Sequence, residues 1–468
     1  MADNVVILAG GQGKRMKTSK PKVLLEVLGT PMLQWVIDAC EEAGLSEICI
    51  VKGYEAEQID SYIDGKYETV LQSERLGTGH AVMQAKAFLE KNIGSDTLIL
   101  CGDAPFIDKA TIENALKLHK SQGSAVTVVT SKIDDPKGYG RIVRNENGIS
   151  GIVEHKDCTP EQLLINEINS GCYWFDTQAL LSVLFELKPN NAQGEYYLTD
   201  CVELLLKKGR KATAYCSENP DVSLGANDRA GLLKLNDIAR MNVINSHLDN
   251  GVEMTCLDGV IIGKYVKIGG GTHIKSGSQL FGRTTVGENC VIGPNTLLTD
   301  TTVGSDVSLN NVMATKSVVE DKASIGPWTQ LRPDSYIKKG VKIGDFVEIK
   351  NSTIGERTAV AHLTYVGDSD VGANVNFGCG CVTVNFDAEH KYRTVIGDNA
   401  FIGCNTNLVA PVRVGNNAYT AAGSTIINDV PDGALAIERG TAVIKEDYGY
   451  RKLKARTEKF RKLSQDEK

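Results

Sequence analysis

The second half of this chain repeats a short pattern in which an aliphatic residue is followed directly by glycine. Val-Gly or Ile-Gly pairs occur thirteen times from Ile262 to Val414, but only once, at Ile93, in the first 251 residues. Seven of the twelve gaps between successive pairs are multiples of six residues, whereas unrelated spacing gives about one in six. The aliphatic side chain fits inside a triangular coil, and the glycine permits a tight corner. The pattern therefore predicts a parallel β-helix of hexapeptide repeats over residues 252–448.

The alternative for such a segment is a β-sandwich, but sandwich strands are longer and alternate strictly between apolar and polar residues. Stacked coils leave an open end and a long flat surface, so we expect association through the coil faces. A basic tail, 449–468, follows the repeats. We expect a solvated or frayed end there, since a lone short tail gives little support to RNA or membrane binding.

The first 227 residues have a different pattern, in which short apolar strands alternate with helical stretches. The predicted strands are 5–8, 47–51, 97–100 and 125–130, and the predicted helices between them are 32–42, 81–91 and 109–119. This alternation is typical of a Rossmann-like α/β domain with a mostly parallel sheet covered on both faces. Ligands of such sheets bind beyond the carboxyl ends of the strands.

A helical linker is predicted between the two halves, over residues 228–251. Leu232, Leu235, Ile238 and Val243 recur there every three to five positions, close to the period of one helix face. We expect this helix to be a rigid connector.

The composition of the chain argues against several functional classes. The net charge of −7 gives no reason to expect nucleic acid as a partner. No stretch approaches the roughly eighteen consecutive apolar residues of a membrane helix, and the start leads directly into a predicted strand, so we expect neither a membrane segment nor a signal peptide. The twelve cysteines lack CxxC spacing, which favours reduced thiols over a disulfide framework or a zinc site.

A glycine-rich loop, LAGGQGKRM at residues 8–16, follows the first predicted strand. Glycines at such an exit let backbone N–H groups approach phosphate oxygens, and Arg15 adds a bidentate cation. Lys22 places a second cation near the same loop. The spacing is neither that of a P-loop nor that of a dinucleotide fingerprint. A plain surface turn is the alternative for an isolated loop of this kind.

An aspartate, Asp103, ends another apolar strand in the run CGDAP at 101–105. It lies where a parallel sheet binds ligands, and a carboxylate oxygen suits Mg²⁺. A turn-forming aspartate before a proline is the alternative.

These pieces resemble the nucleotide-sugar pyrophosphorylases, and the later runs resemble the members that make UDP-N-acetylglucosamine. The resemblance rests on residues 8–16 and 101–105 together with LQ at 71–72, LGTGH at 76–80, GYGR at 138–141, IVEHKD at 152–157, EINSG at 167–171 and NAQGEYYLTD at 191–200. It implies uridylyl transfer from UTP to N-acetylglucosamine 1-phosphate, with release of pyrophosphate. A sugar phosphate is already an anionic nucleophile, so positioning and charge neutralisation can carry catalysis without a general base.

The same resemblance implies roles for individual residues. Asp103 and Asn227 would hold Mg²⁺, while Arg15 and Lys22 would neutralise phosphate oxygens. The implied UTP and UDP-N-acetylglucosamine ligands are Leu8, Ala9, Gly10, Gly11, Lys22, Gln72, Gly77, Thr78, Gly140, Glu154, Asn169 and Asn227, of which Gln72, Gly77 and Thr78 read uracil and Gly140, Glu154 and Asn169 hold the acetamido sugar. Alanine is commoner in the family at Gly10, and we expect the loop to tolerate glycine at some cost in rigidity.

The predicted coils carry polar runs that coil-building does not require: LRP at 331–333, EIK at 348–350, AHLTY at 361–365, NVN at 374–376, VNFD at 384–387 and IER at 437–439. A lone histidine such as His362 is more often an ordinary surface residue than a base, but the accompanying runs favour a site. Together they resemble the acetyltransferase half of the bifunctional uridylyltransferase–acetyltransferases, so that the likeness covers residues 4–445. It implies a left-handed β-helix, against the usual right-handed crossover preference, and a homotrimer with acetyl sites between subunits.

The resemblance also implies acetyl transfer from acetyl-CoA to glucosamine 1-phosphate, which needs a neutral amine and hence a base. His362 is the predicted base. Arg332 and Lys350 would bind the sugar phosphate, and Tyr365 and Asn376 would orient the sugar. The implied acetyl-CoA-binding residues are Cys379, Asn385, Phe386, Cys404, Ala422 and Arg439.

Three of those positions depart from a well-known version of the family: Cys379 replaces alanine, Cys404 serine and Phe386 tyrosine. The phenylalanine lacks a hydroxyl, so a hydrogen bond from that position is in doubt. Two cysteines near a thioester could make this half sensitive to oxidation or alkylation, and inert thiols are the alternative.

Two other functions fit parts of the sequence. One is a single-activity nucleotidyltransferase with a regulatory β-helix, as in ADP-glucose pyrophosphorylases, which predicts no histidine-centred polar cluster in the coils. The other is a non-catalytic assembly module of the kind found in translation-factor subunits, which predicts an eroded phosphate loop. The polar cluster around His362 and the intact Arg15, Lys22 and Asp103 favour the bifunctional enzyme. The resemblance also implies a cytoplasmic place in the synthesis of cell-wall precursors.

Overall fold

The computed structural model describes residues 2–146, 148–438, 440 and 442–466. The chain forms two compact units. One contains Met1–Asp249 with Ile261–Val266, and the other contains Asn250–Val260 with Lys267–Lys468.

The first unit is an α/β domain. Its strands are β1 (Asn4–Ala9), β2 (Glu26–Val27), β3 (Thr30–Pro31), β4 (Glu47–Lys52), β5 (Glu68–Leu71), β6 (Asp96–Cys101), β7 (Val126–Lys132), β8 (Arg141–Asn145), β9 (Gly148–Val153), β10 (Glu167–Asp176) and β11 (Ala212–Cys216), with a further short strand at Ile261–Ile262. Its helices are α1 (Met32–Glu42), α2 (Ala56–Ile63), α3 (Thr78–Gln84), α4 (Lys86–Lys91), α5 (Lys109–Gln122), α6 (Thr177–Leu184), α7 (Asp200–Lys207) and α8 (Arg229–Asp249), and 3-10 turns lie at Lys14–Met16, Lys22–Leu24, His155–Asp157, Gln162–Leu164 and Pro220–Ser223.

The main sheet has the strand order β11-β7-β10-β6-β1-β4-β5. Its neighbours are parallel except at β10, which runs antiparallel to both β6 and β7. The mostly parallel sheet predicted from the sequence is confirmed. The reversal follows from the β8–β9 hairpin, which leads the chain into β10 without the helical crossover that a parallel strand needs.

Alternate residues of the central strands pack into two cores, one on each face of the sheet. Val6 and Ile99 point into one core, and Ile7 and Leu98 into the other, all fully buried. Because both faces are covered, ligands can reach the sheet only at its edges, where β1 and β6 end.

One predicted helix, 81–91, is wrong as a single element. Helices α3 and α4 meet at Ala85, whose backbone (φ −82°, ψ 14°) interrupts the regular helix. Val82 before the break and Leu89 after it both pack into the same core. Apolar periodicity cannot reveal such a break, because both segments bury a similar face.

Helix α8 occupies the predicted linker and packs on the first unit. Leu235 and Ala239 are buried in a cluster with Met16 and Leu25. In addition, the Asn236 Oδ1 atom accepts a hydrogen bond of 2.9 Å from the backbone N–H of Leu28. The rigid connector expected from the sequence is thus a helix anchored to the α/β domain.

The second unit consists of short parallel strands on three faces. Face one contains Gln279–Phe281, Leu297–Thr299, Val312–Thr315, Thr329–Leu331, Glu348–Lys350, Tyr365–Gly367, Val382–Val384, Asn407–Val409 and Thr425–Ile426. Face two contains Lys267–Ile268, Thr285–Val286, Thr302–Val303, Val318–Val319, Tyr336–Ile337, Thr353–Ile354, Ser369–Val371, Thr394–Ile396 and Val412–Val414. Face three contains His273–Ile274, Val291–Ile292, Ser308–Leu309, Ser324–Ile325, Lys342–Asp345, Ala359–His362, Asn376–Phe377, Phe401–Ile402, Tyr419–Thr420 and Leu435–Ala436, and helix α9 (Tyr448–Asp466) follows.

The predicted β-helix is therefore present, and most of its short strands bury an aliphatic side chain inside the coil. On face one, Leu298, Leu331, Ile349 and Val366 are fully or almost fully buried. Within the described ranges, every helix of the protein is too short or too polar to cross a membrane.

The inward aliphatic ladder should carry the stability of the coils. Leu309 is fully buried, whereas its strand neighbour Ser308 is exposed. Leu309→Ala should lower the free energy of unfolding of the second unit by about 2–5 kcal/mol, because a cavity is left inside the coil. Ser308→Ala should change it by less than about 0.5 kcal/mol. Urea unfolding followed by circular dichroism compares the two, and equal effects would contradict the packing described.

Candidate active sites

Two adjoining cavities of the first unit open where β1 and β6 end. The larger has a volume of ≈ 660 Å³ and the smaller one of ≈ 390 Å³. Leu8, Thr78, Cys101 and Asp103 line both cavities, so the two spaces meet at Asp103.

The predicted ligands divide between these cavities. Leu8, Gly10, Gly11, Lys22, Gln72, Gly77 and Thr78 line the larger one, and Leu8, Thr78, Asp103, Gly140, Glu154, Asn169 and Asn227 line the smaller one. Two of the predicted residues, Ala9 and Arg15, line neither cavity. Ala9 is buried in β1, and Arg15 lies exposed in the turn Lys14–Met16, outside both linings.

Gly77 shapes the wall of the larger cavity. Its φ of +109° is unfavourable for other residues, and a Cβ there would lie 2.6 Å from the carbonyl oxygen of Tyr196. That carbonyl accepts a hydrogen bond of 2.8 Å from the backbone N–H of Gly79. The Thr78 hydroxyl accepts one of 3.1 Å from the N–H of Leu198. The start of α3 is thereby tied to the segment before α7.

Gln72 lies buried between the two glycine-rich segments. Its side-chain nitrogen donates a hydrogen bond of 3.1 Å to the Gly77 carbonyl and lies 3.2 Å from Nδ1 of His80. A Cβ at Gly10 would lie 2.8 Å from the Gln72 Oε1 atom. Glycine at position 10 therefore leaves room for this amide, whereas a methyl group would require the far end of Gln72 to move.

Lys22 joins the two predicted metal ligands. It is only 9% exposed, forms an ion pair with the Asp103 carboxylate, and donates a hydrogen bond of 2.9 Å to the Asn227 Oδ1 atom. The Asp103 and Asn227 side chains therefore bring together two oxygen donors of the kind that Mg²⁺ takes, at a point where the Lys22 ammonium contacts both. Among the described residues no group of three or more His, Cys, Asp or Glu side chains could hold a metal ion. Further ligands would have to come from substrate phosphate and water.

The smaller cavity is polar and rigid. The Asn169 side chain donates a hydrogen bond of 2.5 Å to the Tyr173 hydroxyl, and its Oδ1 atom accepts one of 3.0 Å from the N–H of Gly171. Burial raises the pKa of Glu154 above its ordinary value and raises that of Tyr173 well above it. A hydrogen-bonding surface of this kind suits the polar groups of a sugar.

Sequence reasoning missed Tyr173 and Arg75 as lining residues. Tyr173 was hidden inside an apolar strand, and only its contact with Asn169 marks it. Arg75 lines the larger cavity, with its guanidinium 5.8 Å from the ring centre of Tyr54. The sequence signal that could have identified Arg75 was a basic residue directly before the run LGTGH.

A carboxyl group behind the smaller cavity has a perturbed pKa. Burial, with smaller contributions from Glu203 and Asp157, raises the pKa of Asp200 from 3.8 to about 6. Since the folded protein binds this proton more tightly than the unfolded chain does, the resulting stability is present below pH 3.8 and is lost as the pH rises through about 6.

We therefore expect Asp200→Asn to raise the thermal unfolding midpoint relative to the unsubstituted protein at pH 8, but to change it little at pH 4, because the charge penalty exists only at the higher pH. Glu113→Gln, an exposed change on α5, should give no such pH-dependent gain. Calorimetry at both pH values measures this. A gain of equal size at both would contradict the burial of charge as its cause.

In the second unit, five residues of successive coils stack in one column: Asp345, His362, Cys379, Cys404 and Ala422. The N–H groups of Leu363, Gly380, Asn405 and Gly423 donate to the carbonyls of Asp345, His362, Cys379 and Cys404 at 3.0, 3.3, 2.7 and 2.8 Å, respectively. The strand register gives the same alignment, with Asp345 opposite His362. The predicted base and three predicted acetyl-CoA positions thus lie in one straight row, which we call the coil-edge column.

His362 is half exposed at this edge. Its Nδ1 atom lies 2.6 Å from Oδ1 of Asp345. Because a carboxylate only accepts hydrogen bonds, Nδ1 carries the hydrogen, and Nε2 is the atom able to take a proton. Asp345 was missed from the sequence, because nothing in the run IGDF distinguishes a partner for His362 from an ordinary corner aspartate.

Cations gather around the end of face one. Arg332 and Lys350 lie side by side in neighbouring coils, since the N–H of Arg332 donates to the Ile349 carbonyl at 2.8 Å. The pKa of Lys350 is lowered, first by the adjacent Lys391 side chain. Lys391 was not predicted. It lies in the loop between the face-one strand Val382–Val384 and the face-two strand Thr394–Ile396, and a basic residue in that loop was the only signal.

The remaining predicted residues of this half are spread around the same coils. Asn385 is buried and donates a hydrogen bond to the Asp368 carboxylate. Asn376 is exposed on face three, and Phe386 is exposed in the loop that carries Lys391. Burial raises the pKa of Tyr365, which contacts Asn385. Arg439, the last predicted acetyl-CoA ligand, lies outside the described residues.

The fold and the two sites define a nucleotidyltransferase domain joined to a hexapeptide-repeat transferase. The family model for nucleotidyl transferases matches residues 4–222, and the model for the bacterial transferase hexapeptide, six repeats, matches residues 393–428. The predicted fold class, with its left-handed β-helix, is confirmed.

Curated relatives match the chain over almost its whole length. A "Bifunctional protein GlmU" from Acetivibrio thermocellus is 45% identical over 97% of this chain and 98% of its own length. Those from Clostridium tetani and Halalkalibacterium halodurans are 46% and 44% identical, over 96% and 95% of this chain and 98% and 97% of their own lengths. The chain belongs to the GlmU family of bifunctional proteins.

Proposed function

We propose that this protein catalyses two successive steps of UDP-N-acetylglucosamine synthesis. The β-helix acetylates glucosamine 1-phosphate with acetyl-CoA, and the α/β domain then transfers uridylyl from UTP to N-acetylglucosamine 1-phosphate. The observation that carries the proposal is the coil-edge column, which places His362 in one row with Cys379, Cys404 and Ala422. A regulatory β-helix has no need of a histidine paired with a carboxylate in that row, which disfavours a single-activity enzyme.

In acetyl transfer, the amine nitrogen of the sugar attacks the thioester carbonyl carbon. The C–S bond breaks, coenzyme A leaves as the thiolate, and the amine proton passes to Nε2 of His362. An extended coenzyme fits along the column because successive coils are about 5 Å apart and expose small residues there.

The sugar phosphate is assigned to the cations at the end of face one. Lys391 lowers the pKa of Lys350, and Arg332 contributes to the same effect. A phosphate dianion between these side chains would relieve their mutual repulsion. The amine could then lie toward the coil edge, where His362 is.

In uridylyl transfer, the residues at the carboxyl ends of β1 and β6 bind and orient the two substrates. The larger cavity suits the nucleotide, with Gln72 and the Gly77 backbone offering hydrogen bonds to the base. The smaller cavity suits the acetamido sugar, and Asp103 lies where the two meet. Lys22 is buried at that junction and can neutralise phosphate oxygens. Mg²⁺, held by Asp103 and Asn227, would supply further charge neutralisation when bound.

Substitutions at the two sites should separate the activities. His362→Ala should lower the rate of acetyl transfer about 10²- to 10⁴-fold, because the base is lost, and leave uridylyl transfer unchanged. Asp103→Ala should lower the rate of uridylyl transfer and leave acetyl transfer unchanged. Thiol release from acetyl-CoA and pyrophosphate release from UTP measure the two steps in the purified protein.

The matched controls are Asp370→Ala on face two and Asp108→Ala beyond β6, which should leave both rates within about twofold. The proposal fails if thiol release never depends on glucosamine 1-phosphate, or if either active-site substitution abolishes both activities in folded protein.

We also propose a homotrimer, in the cytoplasm as the family resemblance implies. Trp328, Phe346 and Leu363 stand at one corner of three successive coils and are 59%, 53% and 58% exposed. All three have positive φ, a conformation that is costly for bulky residues. This apolar ridge lies at the corner between the end of face three, with His362, and the start of face one, with Tyr365, and Lys350 lies at the other end of face one. A second copy packed on the ridge would bury it and enclose the acetyl site.

Removal of the apolar ridge should dissociate the proposed trimer and impair acetyl transfer. Trp328→Asn with Phe346→Asn should reduce the mass measured by light scattering to that of one chain and lower acetyl transfer at least tenfold, without loss of uridylyl transfer. Asparagine tolerates positive φ, so the coil itself should remain folded. Tyr336→Asn, an exposed aromatic on face two, is the control. A trimer that survives the double change would contradict this interface.

A further inference from the structure

We propose that Asp345 is the positioning residue for His362 and makes it an effective base; this rests on the proposed acetyl transfer. Asp345 closes the face-three strand of one coil, and His362 closes the corresponding strand of the next coil. The two residues are opposite each other in the strand register, and Oδ1 of Asp345 lies 2.6 Å from Nδ1 of His362. No other side chain of the coil-edge column carries a carboxylate among the described residues.

The hydrogen bond selects one tautomer of the imidazole. With hydrogen on Nδ1, the lone pair of the ring is on Nε2, so every turnover starts from the form that can accept the amine proton. As that proton moves from the amine nitrogen to Nε2, the ring becomes positively charged. The Asp345 carboxylate stabilises this charge without taking a proton itself. The hydrogen bond from His362 also lowers the pKa of Asp345, which keeps it ionised.

The backbone makes this contact rigid. Gly344 lies so close to Ala361 of the next coil that a Cβ would overlap the Ala361 carbonyl oxygen. Asp345 and His362 are the next residues of the two strands. After them, the backbone N–H of Leu363 donates a hydrogen bond of 3.0 Å to the Asp345 carbonyl. A close backbone approach on one side of the pair and a hydrogen bond on the other therefore set its separation, and a short aspartate spans it.

Few other charged side chains lie close to the Asp345–His362 pair. In the coil before Asp345, the column position is Pro327, and in the coil after His362 it is Cys379. Glu348 and Lys350 lie on face one, Arg332 lies directly after it, and Lys391 lies in the loop beyond it, so all four are past the corner that follows the pair. Asp345 is therefore the charge placed to influence the protonation of His362 directly.

Asp345→Asn keeps the shape of the side chain and removes its charge. We expect the kcat of acetyl transfer to fall at least tenfold, with KM for both substrates and the rate of uridylyl transfer unchanged. The pH–rate profile of acetyl transfer should also change, because a charged group beside the reacting base is removed. A purely structural contact would change KM or the unfolding midpoint but not this profile.

A double-substitution cycle tests whether Asp345 acts through His362. Asp345→Asn should add no further loss to His362→Ala, since the base it serves is already absent. Asp370→Asn, at an exposed aspartate paired with Arg393, is the matched control and should leave kcat and the pH profile unchanged.

The outcomes separate this inference from the proposed function. If the unsubstituted protein acetylates glucosamine 1-phosphate and Asp345→Asn keeps its kcat within twofold and its pH profile in place, the role of Asp345 is disproved. Additive losses in the double variant would also overturn it. If the unsubstituted protein releases no thiol at all, the acetyl transfer itself is disproved.

Discussion

Backbone hydrogen bonding between successive coils is the interaction on which the second half of this protein depends. The first four carbonyls of the coil-edge column each accept a hydrogen bond from the coil that follows, so Asp345, His362, Cys379, Cys404 and Ala422 stand in one row. The aliphatic ladder inside the coils keeps that register, because a shift by one residue would turn the apolar side chains outward. A site built on such a scaffold needs no long loop to bring its base and its coenzyme-binding positions together.

In the first half of the protein, neighbouring parallel strands bring the site residues together. Parallel strands β1 and β6 lie side by side, so the segments that follow them, one with the glycine-rich loop and one with Asp103, must meet at one edge of the sheet. Lys22 then brings a buried positive charge to that edge and draws Asp103 and Asn227 together. The strand-end geometry and this cation together explain why two cavities, one suited to a nucleotide and one to a sugar, join at a single carboxylate.

Much of this arrangement was predictable from particular residues. The loop glycines, Asp103 and the six-residue rhythm are local signals, since each reflects what one short segment can adopt. The reversed strand β10, the break at Ala85 and the exposed position of Arg15 were not predictable, because they depend on how distant segments compete for the same core. Lys391 and Asp345 were missed for a related reason, as their significance comes from neighbours in other coils.

The sequence by itself determined the classes of the two domains and most of the residues that line their cavities, because glycine positions, apolar periodicity and clustered polar runs are properties of neighbouring residues. Only the tertiary structure decided which residues act together. It placed Asp345 against His362, Lys391 beside Lys350, and an exposed apolar ridge at the corner that follows His362. The physical reason is that the stacking of coils converts separations of sixteen to twenty-five residues along the chain into contacts of a few ångströms, and no local pattern records which side chains will then meet.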